Sequence, residues 1–290
     1  MSVVPRVRVG RIPYVNCYPV YGAVDRGIVP LDGTIVDGVP TALNRLMADG
    51  GLDVSVVSAV EYARGADRYL LLPDLAISCD GPVRSVMLFA KCPASELDGA
   101  RVLVSRSSMT SVHLLELLFE HVWCARPRFM PGDAEVSDVA RFGDEEHEAR
   151  LVIGDAALVL TGRPRGAAGP HAAPHDYPYA YDLGAEWKRW TGLPFVFAVW
   201  VAQRGGPLAA ALRVHSGLTA SRDWGIAHLD VLAAQAASAT GVPEPTCLEY
   251  LSGLDYRLSY EHLAGLTEFY RRLVRAGSVP NGTLAFLPAA

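Results

Sequence analysis

Short apolar runs alternate along the chain with stretches whose apolar residues recur at helical spacing. VRVGRIPYV reads as a strand that stops at Asn16, and GTIVDGV as a second. TALNRLMADG sets Leu43, Leu46 and Met47 on one face and ends at Gly50, which predicts a helix. LDVSVVSA is a third strand, ending at Ser58, and VEYARGA opens a helix. LLLPDLAIS continues the sheet. Strands alternating with helices predict a mostly parallel sheet covered on both faces.

VRSVMLFAK (Val83 to Lys91) is a further strand, and after CPASELDGA the pattern restarts. ARVLVS is a strand and SSMTS a polar turn. VHLLELLFEHVW is a helix with Val112, Leu115, Leu118, Phe119 and Val122 on its apolar face. RPRFMP predicts a strand, VSDVARFGDEEHEA a charged helix and RLVIG a strand. The restart marks a second α/β lobe of about one hundred residues, an ordinary domain size. GRPRGAAGPHAAPHDYPYAYD (Gly162 to Asp182) is rich in Gly, Pro and Ala and predicts a loop. LPFVFAVWVA (Leu193 to Ala202) is a buried strand. As the longest apolar run it falls well short of the about 20 residues that span a bilayer. The remainder is helical, first from Leu208 to Thr240 and then in SYEHLAGLTEFYRRLVRAG. There Ser259 caps the start, Gly277 marks the stop, and Leu263, Leu266, Tyr270 and Leu273 line one side.

Several strands stop on a small polar group: Asn16, Ser58, the cluster Ser107, Ser108, Thr110 and Ser111, and Asp155 after RLVIG. In open α/β sheets the ligand crevice lies beyond the carboxyl ends of the strands. SSMTS precedes a helix, so its hydroxyls and the free N–H groups of the first turn favour an anion. The plain alternative is N-capping, which needs one hydroxyl where four stand within five residues. Asp155 suits a cap, a hinge brace or a ligand contact. Glu61 is a conceivable base or an ordinary first-turn acid. For Asn16 the plain reading is a turn residue, and for Ser85 a buried strand serine bonded to backbone.

Composition narrows the chemistry. The 290 residues are 50% hydrophobic, enough for one large or two medium domains. A net charge of -5 argues against a nucleic-acid partner. The five cysteines, Cys17, Cys79, Cys92, Cys124 and Cys247, form no CxxC pair and fit reduced thiols, with Cys17 an apolar filler rather than a nucleophile. No GxxxxGK[ST], GxSxG or HExxH occurs, and His171 and His175 sit in a Pro-rich stretch. The N-terminus lacks a secretory pattern. The expectation is a cytoplasmic protein without metal or cofactor and away from membranes.

RIPYVNCYPV, GVPTALNRLMADGGLDVSVVSAVEYA, LLPDLAISCDGPVRSVMLFAK, LVSRSSMTSVHLL, VIGDAAL and YDLGAEWKRWTGLPFVFAVW together resemble the chorismate dehydratase family of the futalosine route to menaquinone. The likeness runs from Arg11 to about Trp200; the C-terminal helices match more loosely. It implies a fold like the type II periplasmic binding proteins, with two α/β lobes and a ligand cleft between them. VRSVMLFAK and FVFAVWVAQ would be the crossing segments. Lobe I would comprise residues 1–88 and 198–290, and lobe II residues 89–197. The family converts chorismate, a dicarboxylate, to 3-[(1-carboxyvinyl)oxy]benzoate and water. Its catalytic asparagine and serine fall on Asn16 and Ser85. Relatives carry a leucine and a threonine or serine where this chain has Val15 and Cys17, changes that flank Asn16 and leave it in place. Tyr14, Ser58, Ser107, Ser108, Thr110, Ser111 and Asp155 are the substrate-binding candidates. The rival expectations are a non-catalytic binding protein for a small carboxylate and the sister enzyme of the same pathway.

Overall fold

A computed structural model of the chain describes residues 6–132, 146–161 and 177–288. Its strands are β1 (Arg8–Arg11), β2 (Thr34–Asp37), β3 (Val54–Ser58), β4 (Tyr69–Cys79), β5 (Val86–Ala90), β6 (Arg101–Ser105), β7 (Arg128–Gly132), β8 (Ala149–Ile153), β9 (Tyr179–Asp182) and β10 (Phe195–Gln203). Its α-helices are α1 (Tyr18–Asp25), α2 (Pro40–Ala48), α3 (Ala59–Arg64), α4 (Thr110–Leu118), α5 (Gly154–Thr161), α6 (Leu183–Thr191), α7 (Leu208–Ala227), α8 (Leu229–Thr240), α9 (Glu244–Ser252) and α10 (Tyr260–Arg275).

The chain folds into two compact units. The first comprises Met1–Ser78, Val196–Leu232 and Asp255–Ala290, and the second Cys79–Phe195 and Ala233–Leu254. The first is built on a five-stranded sheet in the order β2-β1-β3-β10-β4. β1 runs parallel to β2 and β3, and β10 antiparallel to β3. Every residue of the central β3 is buried, as expected of a strand covered on both faces. The second unit holds a sheet in the order β7-β6-β8-β5-β9. Here β6 is parallel to β7 and β8, while β5 runs against both β8 and β9. β5 and β8 are wholly buried. The two α/β lobes expected from the pattern are thus present, each a five-stranded sheet flanked by helices.

Three local expectations need correction. The first strand ends at Arg11 rather than at Asn16. Pro13 has no N–H for a ladder, and Val15–Cys17 turns into a 3₁₀ helix closed by Cys17 N–H donating to the Tyr14 carbonyl at 2.9 Å. The stretch expected to be loop up to Asp182 ends in β9, an edge strand registered on β5 from Ala90 opposite Tyr179 to Met87 opposite Asp182. Alternating tyrosines suit a pleated strand once a partner is present. The Ala-rich helix breaks at His228, whose ring stacks on Trp224 with centroids 4.3 Å apart. The charged helix expected from Val136 lies outside the described residues as far as 145, and so do His171 and His175.

Elsewhere the caps match their sequence signals. Ser259 accepts from the His262 N–H, and the His262 side chain answers as a capping box at the start of α10. Gly277, at φ +70°, follows its end. No helix among the described residues is long and apolar enough to cross a membrane.

Candidate functional site

In the first unit, β1 and β3 are parallel and paired from Val9 opposite Val54, so their carboxyl ends share one edge of the sheet. The segment carrying Tyr14 and Asn16 leaves β1 at that edge, and Ser58 is the last residue of β3. Arg11 anchors the departure. Its guanidinium bonds Asp37 at 2.6 Å and Asp25 at 2.5 Å and lies over the Tyr21 ring. The bond from Arg11 holds the Asp37 carboxyl below its ordinary range. The buried Tyr21 hydroxyl donates to the Gly10 carbonyl at 3.1 Å and accepts from the Trp200 indole N–H at 3.1 Å. α7 closes the other side of α1: a Cβ placed on Gly225 would stand 2.1 Å from the Pro19 carbonyl oxygen. Strand end, turn and helix are therefore held by charge, ring and backbone contacts together.

Within this rigid frame the Asn16 Oδ1 is enclosed and has no hydrogen-bond partner among the described residues. A buried acceptor left so costs about 1–3 kcal/mol, and most buried polar groups are paired. The unmet acceptor fits a ligand group that donates. Ser58 is differently placed. It is buried, its Oγ accepts from Asn44 Nδ2 at 3.0 Å and from the Glu61 N–H at 3.2 Å, and its own N–H donates to Asn44 Oδ1 at 3.1 Å. Both hydroxyl lone pairs are used, which leaves the hydroxyl hydrogen to donate. Asn44, 2% exposed, brackets the candidate Ser58 and is a residue that sequence reasoning missed. The available signal was a polar residue beside Leu43 and Met47 on the apolar face of α2. Glu61 is tied to the Tyr69 hydroxyl at 2.9 Å and faces Arg68 at 3.7 Å; burial pushes its carboxyl above the usual range despite both partners. Ser58 is the N-cap of α3, and the Glu61 carboxyl braces that helix against Tyr69 rather than presenting a free base.

In the second unit, β6 and β8 are parallel and β5 opposes β8, so the start of β5 lies at the same edge as the ends of β6 and β8. Ser85 stands immediately before β5. Its carbonyl accepts from the Gly154 N–H at 2.8 Å, which brings it beside Gly154-Asp155 at the start of α5. Ser85 is 2% exposed, and among the described residues its hydroxyl makes only a long 3.4 Å contact to the Val83 carbonyl. Asp155 is half-buried in the first turn of α5. Its charge adds to burial in raising the Cys247 thiol, so it lies near α9. At the end of β6, Ser105 Oγ accepts from the Ser107 N–H at 3.1 Å and Ser108 Oγ from the Ser111 N–H at 3.3 Å. Ser108 therefore does the capping work of α4. Ser107 is half-buried and Thr110 and Ser111 are buried. This unit thus gathers Ser85, Asp155 and the Ser107–Ser111 cluster on one sheet edge, while Tyr14, Asn16 and Ser58 share the corresponding edge of the other.

Among the described residues no group of His, Cys, Asp and Glu is arranged to hold a metal ion. All five cysteines are free thiols, Cys17, Cys79 and Cys247 buried. A hollow of about 580 Å³ in the first unit, between α3, α10 and residues 280–284, contains none of the candidate residues. The Tyr62 and Tyr270 hydroxyls at its wall are spent on backbone carbonyls.

A family model described as menaquinone biosynthesis matches residues 7–275. A protein of Thermus thermophilus named chorismate dehydratase is 33% identical over 268 residues, covering 90% of this chain and 95% of that one. A solved structure from Archaeoglobus fulgidus superposes with a TM-score of 0.74 at 21% identity, over 94% of this chain and 98% of that one. The alkanesulfonate-binding protein of Xanthomonas axonopodis pv. citri superposes with a TM-score of 0.65 at 14% identity, over 98% of both chains. The second of these, with its kin among the solved structures, shows a fold like that of the periplasmic binding proteins. The family model over residues 7–275 and the 33% identical relative together place the chain: it belongs to the menaquinone biosynthesis family.

Proposed function

We propose that this protein is a chorismate dehydratase, a carbon–oxygen lyase that converts chorismate to 3-[(1-carboxyvinyl)oxy]benzoate and water in menaquinone biosynthesis by the futalosine route. The observation that carries this reading is the 33% identity to the Thermus thermophilus enzyme over almost the whole of both chains. Its setting is the cytoplasm, in keeping with five free thiols. Asn16 and Ser85 are the catalytic residues. Tyr14, Ser58, Ser107, Ser108, Thr110, Ser111 and Asp155 bind the substrate.

The reaction removes the ring hydroxyl and the hydrogen of the neighbouring carbon that bears the enolpyruvyl ether, and the ring becomes aromatic. That hydrogen is acidified by conjugation to the ring carboxylate. The protein's task is to hold a dianion, accept or direct a proton and help hydroxide leave as water. Of the substrate's polar groups only the hydroxyl donates a hydrogen bond at neutral pH, and the unmet Asn16 Oδ1 is an acceptor. Their pairing supports Asn16 at the leaving group, with its amide N–H available to the departing oxygen. Ser85, buried and weakly engaged, is free to relay a proton or anchor a carboxylate. Neither is a general base at neutral pH, and Glu61 is already bonded to Tyr69. A substrate carboxylate held close to the acidic hydrogen supplies the base.

Incubation of the pure protein with chorismate tests the proposal, with the product followed by aromatic absorbance and identified by mass. Loss of one water is the expected result. Tight binding without turnover would favour a binding protein instead. Loss of a distinct pH-rate limb in a folded Asp155→Asn or Glu61→Gln variant would replace the substrate carboxylate with an enzymic base.

A further inference from the structure

We propose that Asp182 is a positioning residue that holds Ser85 in its working place, an inference that rests on Ser85 taking part in the reaction. Asp182 ends β9 opposite Met87 of β5. Its carboxylate accepts three backbone N–H groups. Oδ1 takes Val83 at 3.0 Å and Ala185 at 3.0 Å, and Oδ2 takes Arg84 at 2.6 Å. The Ala185 bond is the N-cap of α6. The other two grip the two residues directly before Ser85.

That grip has work to do. Arg84 sits at φ +61°, a left-handed conformation that a residue with a Cβ adopts only when its surroundings impose it. The turn sets the direction in which the chain enters β5, and so where the Ser85 hydroxyl lies. Three further contacts press on the same turn. A Cβ on Gly184 would stand 2.6 Å from the Gly81 carbonyl oxygen and 2.7 Å from Cys79 Sγ. Lys188 pairs with Asp80 at 2.5 Å. Arg84 pairs with Glu249 of α9. α6 and its Asp182 cap thus clamp residues 79–84, with α9 adding the Arg84 pair, and Asp182 grips the two residues next to Ser85.

Asp182→Asn separates the clamp from the cap. Asparagine caps a helix about as well as aspartate, and its one oxygen can keep Val83 and Ala185. Its Nδ2 then faces the Arg84 N–H, donor against donor. The expected result is a kcat lowered roughly 10- to 100-fold with KM within about twofold. In a Ser85→Ala background the same change should lower kcat by less than about twofold, because the group it positions is gone. An equal loss in both backgrounds would overturn the proposal. Amide exchange is the second readout. Val83 and Arg84 should exchange at least about tenfold faster in Asp182→Asn while β5 and α6 keep their protection. Unchanged exchange at 83–84 would also overturn it. Absence of turnover by the wild-type protein would refute the dehydratase reading instead, and leaves the exchange result to decide on the clamp.

Discussion

Replacing Asn16 with leucine should make the protein more stable and inactive. The side chains share a branched shape, so the change removes a polar tip without opening a void. The Asn16 Oδ1 is enclosed and unmet, which costs about 1–3 kcal/mol. Leucine removes that cost and adds some apolar burial, for a net gain of at least about 1–3 kcal/mol. Each kcal/mol raises the melting temperature of a domain of this size by about 2–4 °C. Turnover of chorismate should fall at least about 100-fold, the scale of losing a preorganised group at the reacting centre. Calorimetry with and without substrate gives the decisive comparison. Saturation at 100 times Kd stabilises a binding-competent protein by about 2.7 kcal/mol, so chorismate should raise the wild-type midpoint and move that of Asn16→Leu far less. An Asn16→Leu protein that melts several degrees lower would show that Asn16 is an ordinary structural residue, and retained turnover would remove it from the mechanism.

Gly225→Ala drives a methyl into the Pro19 backbone, with the nearest atom at 2.1 Å; thermal unfolding should show a loss of about 1–3 kcal/mol, and kcat should fall as α1 carries Asn16 out of place. Burial raises the folded Glu61 carboxyl above its unfolded value, so its contribution to stability is complete below about pH 4.3 and lost as pH rises through the folded pKa. Glu61→Gln should therefore melt higher than wild type at pH 7, with the difference shrinking toward pH 4; a constant difference across that range would contradict the assigned burial. Thr110→Ala should raise KM more than it lowers kcat in steady-state assays, and equal losses would make Thr110 part of the chemistry. Ser108→Ala should do the same and also cost about 1 kcal/mol in chemical denaturation, because its hydroxyl caps α4.

Much of the architecture was legible in the chain because it is written locally. Apolar runs of strand length, Ser259 before an amphipathic helix and Gly277 after it are signals within a few residues of what they specify, and β3, β8, β10 and α10 follow them. The strand-end polar groups were legible for the same reason. The resemblance picked out Asn16 and Ser85, which pattern alone would have left as a turn residue and a buried serine. What the sequence could not carry was everything that depends on a partner far along the chain. YAYD became a strand because β5 offers it an edge. Ser85 meets Gly154 because β5 runs against β8. Asn44 became the bracket of Ser58, Asp182 the clamp on Arg84, and the Asn16 oxygen an orphan only when each hydrogen bond found or missed its mate. Periodicity determines which face of an element is buried. Which groups stand opposite one another there is decided by register and packing, and those exist only in the folded chain.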